Sequence, residues 1–168
     1  MKYLLVLTLL ITTYTCVFSQ KYGYSNAGNL VAAMPATKAA DTKLIALRDS
    51  LETVVKGKAD QWRIDAQKFQ SDYQGGTLTP VQAEEMQNKL AQRQQQILAM
   101  EQSIPQAIEA RRVKLIAPIL AEIQTAIEAI AKEQGYSMIF DTSSFNTVLF
   151  SDEALDITNL IKAKLNIQ

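Results

Sequence analysis

The sequence contains no histidine and a single cysteine, Cys16, in 168 residues. Without an imidazole, Ser143-Ser144 has no partner that would turn a hydroxyl into a nucleophile, and no catalytic residue is expected. One cysteine forms no intrachain disulfide. Neither sign of charge is in excess, with 17 Lys+Arg against 17 Asp+Glu, so the concentrated basic face that nucleic-acid binding demands is missing. A long hydrophobic run is missing too. The stretch Tyr3 to Ile11 is broken at Thr12-Thr13-Tyr14-Thr15, short of the roughly 20 apolar residues that span a membrane.

What the amino terminus does contain is Lys2, that apolar run, and small residues up to Ser19, the pattern of a secretory leader at 1–19 removed before folding. The bulky Tyr14 ahead of Thr15 suits a lipid-attachment box poorly, so Cys16 is expected to leave with the leader. The remaining 149 residues hold neither cysteine nor histidine and carry 16 basic and 17 acidic side chains.

The mature chain is organised around Thr37 to Gln134, which reads as two long helices folded back at Gly75-Gly76. In the first, Leu44, Leu47, Leu51 and Val54 follow three- and four-residue steps, and Val55, Trp62 and Phe69 continue at sevens. The stripe therefore shifts near Gly57, as a four-residue stutter requires. In the second, Ala83, Leu90, Ile97 and Ile104 form a stripe flanked by Met86 and Met100. Thr79-Pro80-Val81-Gln82 supplies a capping box with proline at the first helical position. A turn at Gly75-Gly76 makes antiparallel partners sum to about 152, and the stripes comply: Phe69 with Ala83, Trp62 with Leu90, Val55 with Ile97. Pro105 and Pro118 are expected to bend the second helix without ending it, since Ile116, Leu120, Ile123, Ile127 and Ile130 keep the helical spacing.

Around this hairpin the elements are short. Lys21 to Tyr24 reads as a strand with Tyr22 and Tyr24 on one face, and Asn29 to Met34 as a helical turn or two. Gly135 closes the long helix in a left-handed conformation. Tyr136 to Phe140 and Thr147 to Phe150 read as two strands of a β-hairpin joined by the polar turn Asp141 to Asn146. Asp156 caps a last helix whose apolar face is Ile157, Leu160, Ile161 and Leu165. Asp141, Asp152, Glu153 and Asp156 suit turns and caps better than a metal site. Neither metal nor cofactor is expected. So small a body rarely encloses a core alone, which predicts self-association.

Tyr22-Gly23-Tyr24-Ser25-Asn26 after a leader, Met34-Pro35 before a long helix, Gln134-Gly135-Tyr136 leading into Ile139-Phe140-Asp141, and Asp156-Ile157-Thr158 near the end resemble, in order and spacing, the Skp/OmpH family of periplasmic chaperones. The resemblance covers essentially the whole mature chain. It implies an α+β fold in which a long antiparallel helical hairpin, residues 37–115, accompanies a small β-sheet body, residues 20–36 and 116–168. It also implies a homotrimer whose arms surround a cavity, where unfolded outer-membrane proteins are held without ATP, with no nucleic-acid partner and no transmembrane span in the mature chain. A structural spacer or adaptor of the cell envelope is the alternative.

One departure from the family is marked. Well-known members are strongly basic, whereas here residues 61–106 carry Arg63, Lys68, Lys89 and Arg93 against Asp65, Asp72, Glu84, Glu85 and Glu101, among twelve glutamines. Long-range steering by charge should be weak. Apolar residues off the seam, Ile64 and Val113, with the adaptable amides of Gln94, Gln95 and Gln96, are the expected client contacts. Val55, Trp62, Phe69, Ala83, Leu90 and Ile97 are the expected hairpin packing, and Met86 and Met100 are read as seam packing before binding surface.

Overall fold

The computed structural model of the chain describes residues 20–145 and 147–167. The expected leader, Cys16 included, and Asn146 lie outside the described residues. Strand β1 (Lys21–Ser25) leads into helix α1 (Ala27–Ala33), and two long helices follow, α2 (Pro35–Gln74) and α3 (Pro80–Gln134). Strand β2 (Tyr136–Asp141), a single 3₁₀ turn (Glu153–Leu155) and helix α4 (Thr158–Lys164) complete the order. The chain divides into two compact units, one of residues 31–122 and one that joins the residues before 31 to those after 122.

In the first unit, sequence chemistry fixes the helix ends. Pro35 occupies the first turn of α2, where its missing N–H costs nothing. At the turn, Gly76 adopts φ 69°, which a side chain would disfavour. The capping box at the start of α3 is formed reciprocally: the Thr79 N–H donates to Gln82 Oε1 at 3.0 Å and the Gln82 N–H donates to Thr79 Oγ1 at 3.3 Å. With 40 and 55 residues, α2 and α3 are about 60 Å and about 82 Å long. Both Pro105 and Pro118 lie inside α3, which runs through them.

The seam buries Ala40, Leu44 and Val55 on α2, and Ala83, Ile108 and Ile119 on α3. Leu47, Leu51, Trp62, Phe69, Leu90 and Ile97 are half-buried. Val54, expected on the stripe, stands exposed while its neighbour Val55 is buried. After Leu51 the seam therefore advances by four residues to Val55, and Val54 rotates outward by about a quarter turn.

The second unit holds a two-stranded sheet in which β1 pairs with β2 in parallel, Tyr22 beside Met138 and Tyr24 beside Phe140, with an irregularity between Lys21 and Tyr22. The pairing corrects the β-hairpin expected from Tyr136–Phe140 and Thr147–Phe150, because residues 147–150 are not a strand. Turn chemistry decides it. The Asp141 carboxylate accepts from the Ser143 N–H and hydroxyl, the Thr142 N–H donates to the Ser25 carbonyl, and the Thr147 hydroxyl bonds the Ser144 carbonyl. The chain is thus held in a local turn and does not reverse along β2. Phe145, Leu149 and Phe150 are left 95%, 90% and 87% exposed.

Gly23 and Ser25 face inward from β1. A Cβ on Gly23 would lie 3.0 Å from the Tyr136 ring and 3.1 Å from Ile157, so any larger residue would push these two side chains back by a few tenths of an ångström. Leu30, Ile157 and Ile161 are fully buried, and Ile123, Ala126 and Ile130 bury in steps of three and four. The Ser25 hydroxyl, also buried, bonds that of Thr158 at 3.0 Å. Leu160, expected on the apolar face of α4, is exposed, because only the four-residue step from Ile157 to Ile161 stays on the inward side of so short a helix. Gly135 ends α3 with φ 71°.

Candidate functional site

Half way along the hairpin the seam changes character. The Trp62 indole N–H crosses to the Leu90 carbonyl at 2.9 Å, joining the two residues the stripe pattern paired. One turn further along each helix, Arg93 pairs with Asp65, whose other oxygen accepts from Gln61 Nε2 at 2.9 Å. The numbers 65 and 93 overshoot the sum obeyed by 62 and 90. Side chains lean toward the amino terminus of their own helix, so on antiparallel helices two residues offset in this way reach toward each other.

Beside this pair the two helices leave an open cleft of about 280 Å³, floored by Trp62, Ile97 and Met100 and rimmed by Lys58, Gln61, Arg93 and Gln96. A second depression of about 440 Å³, on which Asp65, Asp72, Lys68 and Lys89 mix both signs, lies nearer the turn. Trp62 therefore has two functions in the geometry: its N–H ties the hairpin, while its ring lines a cleft open to solvent.

The expected contact residues do not converge. Ile64 and Val113 are 54% and 59% exposed, Gln94 and Gln95 are also exposed, and only Gln96 lines the cleft beside Trp62. Lys58 and Arg93 stand at the cleft rim; the charge balance over residues 61–106 begins after Lys58 and takes Arg93 only as one part of a total of −1. Their signal in the sequence was position: Lys58 lies four residues before Trp62 and Arg93 three after Leu90, each flanking a seam residue at helical spacing. Met100 belongs to the cleft floor as well as to the seam.

In the second unit, a hollow of about 320 Å³ is lined by Tyr22, Tyr24, Phe140, Val148, Phe150 and Leu155 among others. The carboxylates nearby are used as caps. Asp141 accepts from the Ala27 N–H at 3.1 Å, Asp152 from Ala154 at 2.9 Å and Asp156 from Thr158 at 2.8 Å. Burial raises the Asp141 carboxyl, but the hydrogen bonds from Ser143 and Ala27 outweigh it and hold the group below the usual carboxylate range. Among the described residues no cluster of three potential metal ligands occurs, and no helix is long and apolar enough to cross a membrane.

The family model for OmpH-like outer membrane proteins matches residues 21–165. In fold the chain is similar to the crystal structure of an OmpH-like outer membrane chaperone from Caulobacter crescentus CB15, with a TM-score of 0.74 at 18% sequence identity over 88% of this chain and 84% of that one. No curated protein matches the sequence.

Proposed function

The chain belongs to the OmpH-like outer membrane protein family, and on that premise we propose that it is an ATP-independent periplasmic holdase for unfolded outer-membrane β-barrel proteins. The observation that carries the reading is the hairpin surface. Ile45, Val54, Ile64, Leu98 and Val113 stand about half exposed at intervals along both helices, which offers an unfolded chain many weak apolar contacts. The glutamines between them, Gln94, Gln95 and Gln96 included, offer donors and acceptors to any unpaired backbone. Many such contacts hold an unfolded chain by avidity while each segment exchanges.

In this proposal the leader at 1–19 directs the chain to the periplasm and is removed, and the mature protein works as a homotrimer with clients in the cavity between three arms. Phe145, Leu149 and Phe150 support self-association, since three large apolar side chains left almost fully exposed are the usual mark of a surface that a partner covers. No catalytic residue, metal or cofactor is assigned.

The test is dilution of a urea-unfolded barrel protein into buffer with and without the mature chain, followed by light scattering. Suppressed aggregation at near-stoichiometric trimer, without ATP, is the expected result. A structural spacer or adaptor would leave the scattering unchanged.

A further inference from the structure

Resting on the holdase reading for the choice of a polypeptide ligand, the geometry points to the mid-hairpin cleft as a binding site for an extended segment that sets an apolar side chain beside a carboxylate. Its floor of Trp62, Ile97 and Met100 is apolar and adaptable, since a methionine thioether repacks around different shapes. Its rim carries Lys58 and Arg93 and no carboxylate. Charge complementarity therefore selects the occupant. Among the described residues Lys58 makes no ion pair. Arg93 meets Asp65 through one terminal nitrogen, while a guanidinium has five N–H donors. Asp65 offsets the charge of Arg93 from outside the lining, so Lys58 is the cation that gives the cleft a local positive field, with the remaining Arg93 N–H groups as donors beside it.

The remaining lining fits a peptide better than a compact ion. Gln96 sits at the rim with an amide able both to donate and to accept, as a peptide backbone requires. The indole N–H of Trp62 is committed to Leu90, which leaves its ring face for the apolar side chain. A bare anion would find the cations but leave the floor wet. A purely apolar segment would fill the floor and leave Lys58 and the spare Arg93 N–H groups desolvated beside it. An aspartate or glutamate next to a leucine or a similar residue satisfies both.

Trp62 is the only tryptophan in the chain, so its fluorescence reports occupancy of the cleft directly. The mature protein is titrated with two unstructured peptides identical except for Leu-Asp or Leu-Asn at the centre, and the titrations are repeated with Lys58→Gln. The Leu-Asp peptide should shift the emission saturably and bind about tenfold more tightly than Leu-Asn. Lys58→Gln should weaken Leu-Asp by about fivefold, the upper end for a partly exposed ion pair, and leave Leu-Asn unchanged. Equal affinity for the two peptides, an unaltered spectrum, or no effect of Lys58→Gln on the Leu-Asp affinity overturns the assignment. Barrel-aggregation assays on the same preparations separate the two ideas: suppression without peptide selectivity removes the cleft and keeps the holdase, and selectivity without suppression does the reverse.

Discussion

Replacing Trp62 by phenylalanine isolates the hydrogen bond that ties one helix of the hairpin to the other. The Leu90 carbonyl lies within α3, whose own ladder already supplies it with the N–H four residues on, so losing the indole leaves no orphaned acceptor. The cost is then the net worth of one hydrogen bond, about 0.5–1.5 kcal/mol, plus roughly 0.5 kcal/mol for the smaller ring at a half-buried site, about 1–2 kcal/mol together. Trp62→Ala removes nearly all of the contact. A fully buried aromatic costs about 3–5 kcal/mol in that substitution, and half burial brings the expectation to about 2–3 kcal/mol. Urea unfolding followed by circular dichroism measures both, and thermal melts should move by about 2–4 °C for each kcal/mol. Because Asp65–Arg93 lies one turn away, Trp62→Phe in an Asp65→Asn background should fall short of additivity. A phenylalanine variant as stable as the parent would refute the cross-helix bond. An alanine variant within about 0.5 kcal/mol of the parent, the range of an ordinary surface change, would refute the seam.

Leu149 is almost fully exposed within one chain, so Leu149→Asp should be harmless to a monomer; in a trimer it buries an unpaired charge at several kcal/mol. Light scattering should give three times the chain mass for the parent and a smaller species for the variant, and a folded parent monomer at micromolar concentration would contradict the assembly. Asp141 has a folded pKa below its unfolded value of about 3.9, so its contribution is fully present above that value and is lost as pH falls through the folded pKa. Asp141→Asn should accordingly lower the melting temperature at neutral pH, with the gap from the parent closing below about pH 4. Client affinity should change little between low and moderate salt, because about 0.15 M salt screens beyond about 8 Å and the arm is nearly neutral. A single cleft carboxylate is compatible with that, whereas a tenfold loss in a binding titration is not.

The hairpin was legible because its signals are local. Two stripes, a glycine pair and a capping box occupy contiguous sequence, and each has one physical reading. Gly135 was legible for the same reason, whereas the cap expected at Asp156 is shifted by one: Ile157 is the N-cap and Asp156, just before it, accepts from the Thr158 N–H. The β1–β2 pairing was not legible, since nothing in Lys21–Ser25 names a partner beyond residue 135, and alternation alone does not distinguish a parallel neighbour from a hairpin. Thr147–Phe150 misled because β-forming composition describes what a segment pairs well with, while a strand exists only where another backbone is in register. At the cleft, the sequence supplied Trp62 and Gln96, but the charge count began at residue 61 and so passed over Lys58, although 58 and 93 come close to the antiparallel sum that the seam residues obey.

The parallel pairing of β1 with β2 has a consequence for the order in which the molecule is made. Parallel neighbours need a crossover connection, and here the entire helical hairpin is that crossover, separating Lys21 from Tyr136 by more than a hundred residues. The hairpin closes through a turn of a few residues, while the sheet must close across everything between, so local contacts form early and the sheet late. A chain emerging amino terminus first carries β1 with its backbone groups unpaired until the last few dozen residues arrive, an open template for any other strand during that interval. Truncation at Gln134 should therefore leave a helical hairpin bearing an unpaired strand, whose preference for β-rich chains over its own missing partner would be measurable by adding a synthetic Tyr136–Asp141 peptide in competition.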